Sequence, residues 1–438
     1  MAEWRNWAGN QTAEPTAVLR PTSVPELVDV ILTAASQGQQ VKPIGSGHSF
    51  TAIGVAPGIQ LDMSALARIV SADRATGLVT VEAGMPLHRL NRELAAQGLA
   101  MTNLGDIEVQ TISGALSTGT HGTGEHFGGL TTQIRGMQLV TADGTLRELS
   151  PNQSSDLYEM ARLGLGALGV IATVTLQTEP LFAVRAEEKP MPMPEVLDRF
   201  DELASAVDHF EFYWFPHTNG ALTKHNTRLP GDVALQPLSR LKRWVDDEFL
   251  SNTVFGTFQT LERRIPALIR PVNKISTKAL GARTYTDLSY KIFTSPRRVR
   301  FCEMEYAIPR ERVVDVLNEL DAAIEDSGML ISFPVEVRIA AADDIPLSTA
   351  SGRDSAYIAV HMDNRTDHEP YFRLVESIMT NVQGRPHWGK LHYLGRDDFA
   401  ERYPRFGEFV GIRDRVDPLG RFTNPYLDRV LGPPPGRR

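Results

Sequence analysis

"PIGSGHSFT", Pro43 to Thr51, is a glycine-rich turn with a histidine set inside it. Gly45 and Gly47 let the backbone fold closely around an anion, because glycine reaches conformations closed to other residues. His48 is out of place in a loop whose use lies in bare amides, so it needs a purpose of its own. Upstream, "SVPELVDVILTAASQG" reads as a helix. Ser23 and Glu26 predict a capping box, Leu27, Val30, Ile31 and Ala34 make one apolar stripe, and Gly38 ends it. "QVKPI" then reads as a strand running into the loop. This is not a Rossmann turn, since position 50 is Phe50 instead of glycine and the acid at Asp62 comes too early. No Gly-Lys-Ser/Thr follows, so it is not a Walker A loop either.

A second run of small residues, "SGALSTGTHGTG", occupies 113–124. Either run alone reads as a surface turn. Two of them within one α+β unit point to a dinucleotide held on backbone amides and hydroxyls. Between and after them lie a strand ("GLVTVEAG"), an amphipathic helix ("PLHRLNRELAAQG"), a hairpin turning at Asp143-Gly144 and another strand ("GVIATVTLQTEP").

The texture changes near Glu179-Pro180. From there to about residue 300 only "HFEFYWFP" reads as a strand, followed by a polar helical stretch rich in aromatic and basic residues. Beyond it, "RFCEMEYAI", "RERVVDVLNELDAAIEDSG", "LISFPVEVRIA", "AYIAVHMD" and "EPYFRLVESIMTNVQG" alternate as β-α-β-β-α. That order predicts an antiparallel sheet with helices on one face. The tail "GPPPGRR" is expected to fray.

A chain of 438 residues predicts two domains. With 42% apolar and 22% charged residues it has a globular composition, and a net charge of −8 argues against nucleic acid or an anionic membrane as the main partner. The single cysteine, Cys302, allows no internal disulfide and no cysteine-based metal cluster. No signal-peptide pattern and no uninterrupted apolar run of about 18 residues occurs, so the expectation is a cytoplasmic protein without a membrane span.

Candidate chemistry lies late in the chain. In "FPVEVRIA", period-two alternation puts Val335, Val337 and Ile339 on one face and Glu336 and Arg338 on the other. By itself that is a sheet-surface ion pair. Tyr357, His361 and Asp363 share one face of the likely neighbouring strand, which makes the polar face broad. "PHWGK" holds His387, Trp388 and Lys390, in isolation a turn with a core tryptophan. His121 and His126 are five apart, as are His387 and His392, which is no helical ligand spacing, so no metal is expected.

"NWAGN" (6–10), "RPTS" (20–23), "GSGHSF", "TGTHGTG" (118–124), "GLGALGV" (164–170), Glu336-x-Arg338, "PHWGK" (386–390) and "DPLGRFTN" (417–424) together carry a resemblance. They resemble the vanillyl-alcohol oxidase type of FAD-linked oxidoreductases, and within it the sugar-1,4-lactone and alditol oxidase branch, almost end to end. The resemblance implies an α+β, two-domain fold of the PCMH type. Residues 1–180 would bind FAD, 181–395 would form a substrate-binding cap on an antiparallel sheet, and 396–438 would return to the first domain. FAD would touch Pro43, Ile44, Gly45, Ser46, Gly47, His48 and Ser49, then Gly105, Thr111, Gly114, Ser117, Gly119, Thr120, His121, Gly122 and Ile171. It would be bonded covalently through His48, which would be that histidine's purpose.

The resemblance also implies two-electron oxidation of a hydroxyl beside a lactone carbonyl, of L-gulono-1,4-lactone or D-arabinono-1,4-lactone, to an ascorbate-like product. Glu336, Arg338, Lys390 and His361 would be catalytic, and Asp106, Gly105 and His387 would face the substrate. Arg338 and Lys390 would bind the reacting hydroxyl while Glu336 orients sugar hydroxyls. Electrons would pass on to oxygen or a redox carrier. Alditol oxidation with release of hydrogen peroxide stays open. So does a binding module that uses its glycine runs only as turns.

Overall fold

Residues 3–239, 255–279 and 281–437 are described by the structure, a computed structural model. Helix α1 (Val24–Ser36) forms on the expected stripe and buries Leu27, Ile31 and Ala34, with Val30 half-buried. Its cap differs from a reciprocal box. Ser23 Oγ accepts the Glu26 N–H at 3.3 Å, but the Glu26 carboxylate takes the N–H and hydroxyl of Thr22, both at 2.8 Å. Thr22 presents two donors to one oxygen, where Ser23 would present one.

Three larger sheets organise the chain. Strands β1 (Ala17–Leu19), β2 (Val41–Ile44) and β3 (Ile59–Asp62) form a small parallel sheet in the order β1-β3-β2. Strands β4 (Ile69–Asp73), β5 (Leu78–Glu82), β6 (Ile134–Val140), β7 (Leu146–Leu149) and β8 (Val170–Gln177) form an antiparallel sheet in the order β7-β6-β8-β5-β4. The β6–β7 hairpin turns where expected, with Gly144 at φ +75°.

The third sheet has eight strands: β9 (Phe182–Pro192), β10 (His209–Trp214), β11 (Gly220–Pro230), β12 (Arg283–Leu288), β13 (Phe301–Pro309), β14 (Val335–Ala340), β15 (Ser355–Asp363) and β16 (Arg385–Pro386). Their order is β12-β9-β11-β10-β14-β15-β13-β16, antiparallel throughout. β9, β11 and β12 come from the stretch in which the sequence is hard to read. β14 is shorter than "LISFPVEVRIA" suggests, because the segment up to Pro334 leaves the ladder and Pro334 has no N–H to add to it. The polar helical stretch expected near 230–300 contains helices Phe255–Arg264 and Ile269–Ala279, and its part at 240–254 lies outside the described residues.

Alternation gives the large sheet two unlike faces. Met304, Tyr306 and Ile308 of β13, with Val337, Ile358 and Val360, join the core beneath helices α3 (Val313–Ser327) and α4 (Glu369–Asn381). The opposite face carries Glu211, Tyr213, Lys224, Glu303, Glu305, Glu336 and Arg338, and the four glutamates and Arg338 are buried. So many charges on a buried face are stable only if paired.

The last forty residues pack back on the first sheet. Val41 N–H donates to Arg421 O at 2.8 Å, and Asn424 caps helix α5 (Pro425–Leu431) while reaching the 52–55 turn. The tail is docked instead of frayed. Gly436 N–H donates to Pro418 O at 2.9 Å and Arg437 lies 3.9 Å from Asp428, so the loop at 417–424 holds it. Among the described residues no helix is long and apolar enough to cross a membrane.

Candidate active site

The quoted loop is clamped from two sides. Trp7 N–H donates to Gly47 O at 2.7 Å and Asn6 Nδ2 to Ser49 O at 2.9 Å. Phe50 N–H donates to Gly389 O at 2.7 Å, and Thr51 Oγ1 to Trp388 O at 3.0 Å. "NWAGN" and "PHWGK" therefore act first as fasteners of this loop. Gly47 sits at φ +68°. A Cβ on Gly45 would lie 2.4 Å from Thr111 Oγ1, so only glycine fits there.

The loop borders a cleft of roughly 910 Å³, part of it open to solvent. Pro43 to Ser49, Thr111, Gly114, Ser117 and Ile171 line it as expected, joined by Lys42, Gly166 and Val170, which were not among the expected FAD contacts. The backbone N–H groups of Ser46, Gly47, His48 and Ser49 have no acceptor among the described residues. Four neighbouring free amides make a nest for an anion such as a pyrophosphate. By contrast, the first-turn amides of α2 (Ile112–Thr118) are already used: Ile112 donates to Met85 O, Ser113 to Ala83 O and Gly114 to Thr111 Oγ1. Lys42 Nζ is buried between the carbonyls of Phe422 (3.2 Å) and Gly166 (3.4 Å), and burial draws its pKa down to about 7.

Past Thr118 the second glycine run leaves the cleft. Gly119 ends α2 in the left-handed region at φ +79° and turns the chain toward the large sheet. Thr120 accepts a hydrogen bond from Gln110, His121 pairs with Glu305, and Gly122 borders a second cavity. A Cβ on Gly105 would lie 3.0 Å from Thr120 Cγ2, so Gly105 packs on this run.

His48 stacks on Trp7 with ring centroids 5.3 Å apart. Burial, helped by the nearby Lys390 charge, pushes its pKa down to about 4, so the ring is neutral with a lone pair on one nitrogen. Asp106 and Lys390 both act on it electrostatically, which puts the loop at the edge of the charged sheet face.

On that face Arg338 is held by three carboxylates. Its Nε donates to Glu211 Oε2 at 3.0 Å, Nη2 pairs with Glu336 Oε1, and Asp106 Oδ2 is 4.0 Å from Nη2. Asp106 is also bound by Arg297 at 3.0 Å, and Glu211 by Lys224 at 2.8 Å. Tyr213, opposite Glu336 in the ladder, donates to Glu336 Oε1 at 3.0 Å. Two atoms stay uncommitted: neither Arg338 Nη1 nor Glu336 Oε2 has a hydrogen-bond partner among the described residues. Burial raises the Glu336 pKa, with Asp106 and Glu211 adding to the effect and Arg338 opposing it. For Asp106 and Glu211 burial acts upward too, but the cations around them win and both stay ionised.

Across the sheet Lys390 pairs with Glu303 and lies 5.2 Å from the centre of the Phe50 ring. Burial disfavours its charge, yet Glu303 and Glu305 more than offset this and raise its pKa. His361 Nε2 is 3.6 Å from Glu303. His387 lies deeper, where its Nδ1 accepts the Gly389 N–H at 3.1 Å and burial draws its pKa down to about 4.

His121, Glu305 and His387 bring ligand-type atoms within 4.8 Å of one another. They are wired as a hydrogen-bond cluster. His121 Nδ1 lies 2.9 Å from Gly122 O and its Nε2 3.0 Å from Glu305. His387, accepting at Nδ1, carries its proton on Nε2 and has no lone pair left for an ion.

The structure thus gathers Asp106, Glu336, Arg338, His361 and Lys390 on one surface, with His48 at its rim and His387 behind it. Glu211, Tyr213, Lys224, Arg297, Glu303 and Glu305 belong to the same network and escaped the sequence reading. The alternation in "CEME" is the one signal that could have exposed Glu303 and Glu305 as a same-face pair.

The buried neutral histidines give the fold an acid limit. His209 and His387 are both drawn down to about 4 by burial, whereas unfolded histidine titrates near 6.5. Between those values the unfolded chain binds more protons, so stability rises with pH there and falls as the solution is acidified. Thermal unfolding at pH 5 should occur several degrees below that at pH 7, and an unchanged midpoint in calorimetry would contradict this.

Comparison with known proteins agrees with this architecture. The D-arabinono-1,4-lactone oxidase family profile matches residues 174–430, and the FAD binding domain profile matches residues 15–150. An L-gulono-1,4-lactone dehydrogenase of Mycobacterium tuberculosis is 44% identical over 430 residues, covering 98% of this chain and 99% of that one. An L-gulonolactone oxidase of Bos taurus is 35% identical over 436 residues, covering 98% of both. A cholesterol oxidase from B. sterolicum superposes with a TM-score of 0.81 at 18% identity over 98% of this chain and 96% of its own, a likeness of fold alone. The chain belongs to the D-arabinono-1,4-lactone oxidase family of FAD-binding oxidoreductases, and its fold is the α+β PCMH type.

Proposed function

We propose that this protein oxidises an aldono-1,4-lactone, of the L-gulono or D-arabinono kind, at the hydroxyl beside the carbonyl. One observation carries the reading: on β14 an uncommitted donor, Arg338 Nη1, stands beside an uncommitted acceptor, Glu336 Oε2. A hydroxyl needs both when it is oxidised, one to hold its oxygen and one to take its proton. The cleft suits FAD, with the free amides of Ser46 to Ser49 facing a pyrophosphate and His48 at the end near the charged face. Bound there, FAD supplies the two-electron acceptor for the hydride leaving the carbon.

The chain's own groups do the rest. Arg338 Nη1 donates to the reacting oxygen, and Glu336, its pKa raised by burial, accepts the proton at Oε2. Lys390 brings a second cation toward the loop carrying His48 and stabilises negative charge that develops there. Asp106, tied to Arg297 and Arg338, fixes the guanidinium and is not free to act as a base. Alditol oxidases are expected to carry a polyol-binding serine at this position, so Asp106 favours a lactone. The two relatives named for gulonolactone favour it too. Oxygen or a redox carrier would then take the electrons, and the product would be ascorbate-like.

We further propose the division 1–180, 181–395 and 396–438. The start of the large sheet at Phe182 and the packing of Arg421 and Asn424 on the first sheet support it. His48 is proposed as a covalent tether, which its neutral nitrogen and its seat on Trp7 favour. After acid precipitation the native protein should keep its yellow colour in the pellet, while His48→Ala should release all of it to the supernatant. Colour lost from the native pellet would refute the bond. Bleaching at 450 nm on anaerobic addition of L-gulono-1,4-lactone tests the activity itself, and a spectrum that no aldonolactone changes would refute it.

A further inference from the structure

One oxygen of Glu336 is taken twice while the other is free. Arg338 Nη2 and the Tyr213 hydroxyl both reach Oε1, the first from Glu336's own strand and the second from β10 beside it. The Tyr213 hydroxyl has one hydrogen and two carboxylates within reach, Glu336 Oε1 at 3.0 Å and Glu211 Oε1 at 3.4 Å. Glu211 Oε1 already accepts from Lys224 Nζ at 2.8 Å, so the hydrogen goes to Glu336. Lys224 serves the same hydroxyl: its Nζ donates to the Tyr213 oxygen at 3.4 Å and lies 4.8 Å from the centre of the ring. A cation donating to a hydroxyl oxygen polarises the O–H bond and makes it a stronger donor.

We infer that Tyr213 is a positioning residue for the oxidation: with Arg338 it pins Oε1 of Glu336 and leaves Oε2 to take the proton of the substrate hydroxyl. The inference rests on the lactone reading above. One donor fixes a distance, whereas two from different strands also fix the plane of the carboxylate, so Oε2 stays aimed where the reaction needs it. In that step the substrate O–H bond breaks as the Oε2–H bond forms, and the hydride with its electron pair leaves the carbon for FAD. The hydrogen bond has a second effect. A donor to an ionised carboxylate favours that form, so Tyr213 works against the burial that raises the Glu336 pKa. The other charged and titratable groups facing Glu336 are Arg338 on its own strand, Glu211 and Lys224 on β10 and β11, His361 on β15, and Asp106 and Arg297 from outside the sheet. Among the described residues, only Arg338 and Tyr213 hydrogen-bond its carboxylate.

Tyr213→Phe removes the hydroxyl and keeps the ring, so the test follows lactone-driven flavin reduction in native and variant holoenzyme across pH. The native rate should rise to a plateau as Glu336 ionises. In Tyr213→Phe the midpoint should move up by about one pH unit, leaving the variant about tenfold slower on the rising limb and closer to native at the plateau. A second readout needs no turnover. The infrared band of the protonated Glu336 carboxyl, identified by its absence in Glu336→Gln, should persist to a pH about one unit higher in Tyr213→Phe. A rate lowered by the same factor at every pH, with the band unmoved, would mark a structural role, and an unchanged profile would show that Tyr213 does not govern Oε1. Either outcome overturns the inference. If Tyr213→Phe does not load flavin, Lys224→Gln, which removes the cation from the hydroxyl, should move the same band up by a smaller step, and an unmoved band overturns the inference. A Glu336→Gln enzyme reduced at the native rate, or a native enzyme that no aldonolactone bleaches, would sink the functional reading itself, so the two failures are distinct.

Discussion

Arg338→Ala should slow lactone-driven flavin reduction, followed at 450 nm, by about a thousandfold. A cation about 4 Å from developing charge contributes up to about 4 kcal/mol at an effective dielectric of about 20, which is close to that factor in rate. The substitution also leaves Glu211, Glu336 and Asp106 clustered without the guanidinium that joins them. Glu336 already has a raised pKa, and Arg338 is the group restraining it. Without Arg338 its pKa should rise further, so the residual rate should climb with pH more steeply than the native rate does. Arg338→Lys keeps the charge but cannot reach Glu211 and Glu336 together, and should fall between the two. A flavin-replete Arg338→Ala that reduces within tenfold of the native rate would show that the reacting hydroxyl lies elsewhere.

Asn424→Ala should destabilise the protein by about 3 kcal/mol. Its Oδ1 accepts the Leu427 N–H at 2.9 Å as the N-cap of α5, a bond worth about 1 kcal/mol. Its Nδ2 lies 3.1 Å from Ile53 O and 2.9 Å from Val55 O, and alanine would strand both carbonyls, at about 1 kcal/mol or more each. Asn424 is wholly buried, so water cannot replace it. Asn424→Ser restores the cap alone and should recover about a third of the loss. The turn it grips borders the cleft at Ile53 and Gly54, so flavin should also dissociate more readily from the alanine variant on dilution. A thermal midpoint within a degree of the native value would show that the C-terminal segment is not fastened there.

Much of the site was legible because its parts are local. Gly45 to Ser49 and the Glu336-x-Arg338 alternation are each set within a few residues, where backbone geometry dictates what shares a face or a turn. What failed was of another kind. Lys224 and Asn226 sit in "GALTKHNTRLP", in a stretch where the sequence gives no strand reading, and Glu303 and Glu305 look like surface acids. Period two tells which side chains stand together; it says nothing about whether that face meets water.

The sequence by itself determined the family, the glycine loop with its histidine, and the pairing of Glu336 with Arg338, since each depends on neighbours along the chain. Only the tertiary structure decided that the charged face is buried, that five carboxylates and four cations share it, and that Arg338 Nη1, Glu336 Oε2 and Asn226 are left free. The reason is that these groups meet across ladders and loops from distant parts of the chain, 191 residues apart for Asp106 and Arg297. At that separation no local preference acts, and only burial makes their pairing obligatory.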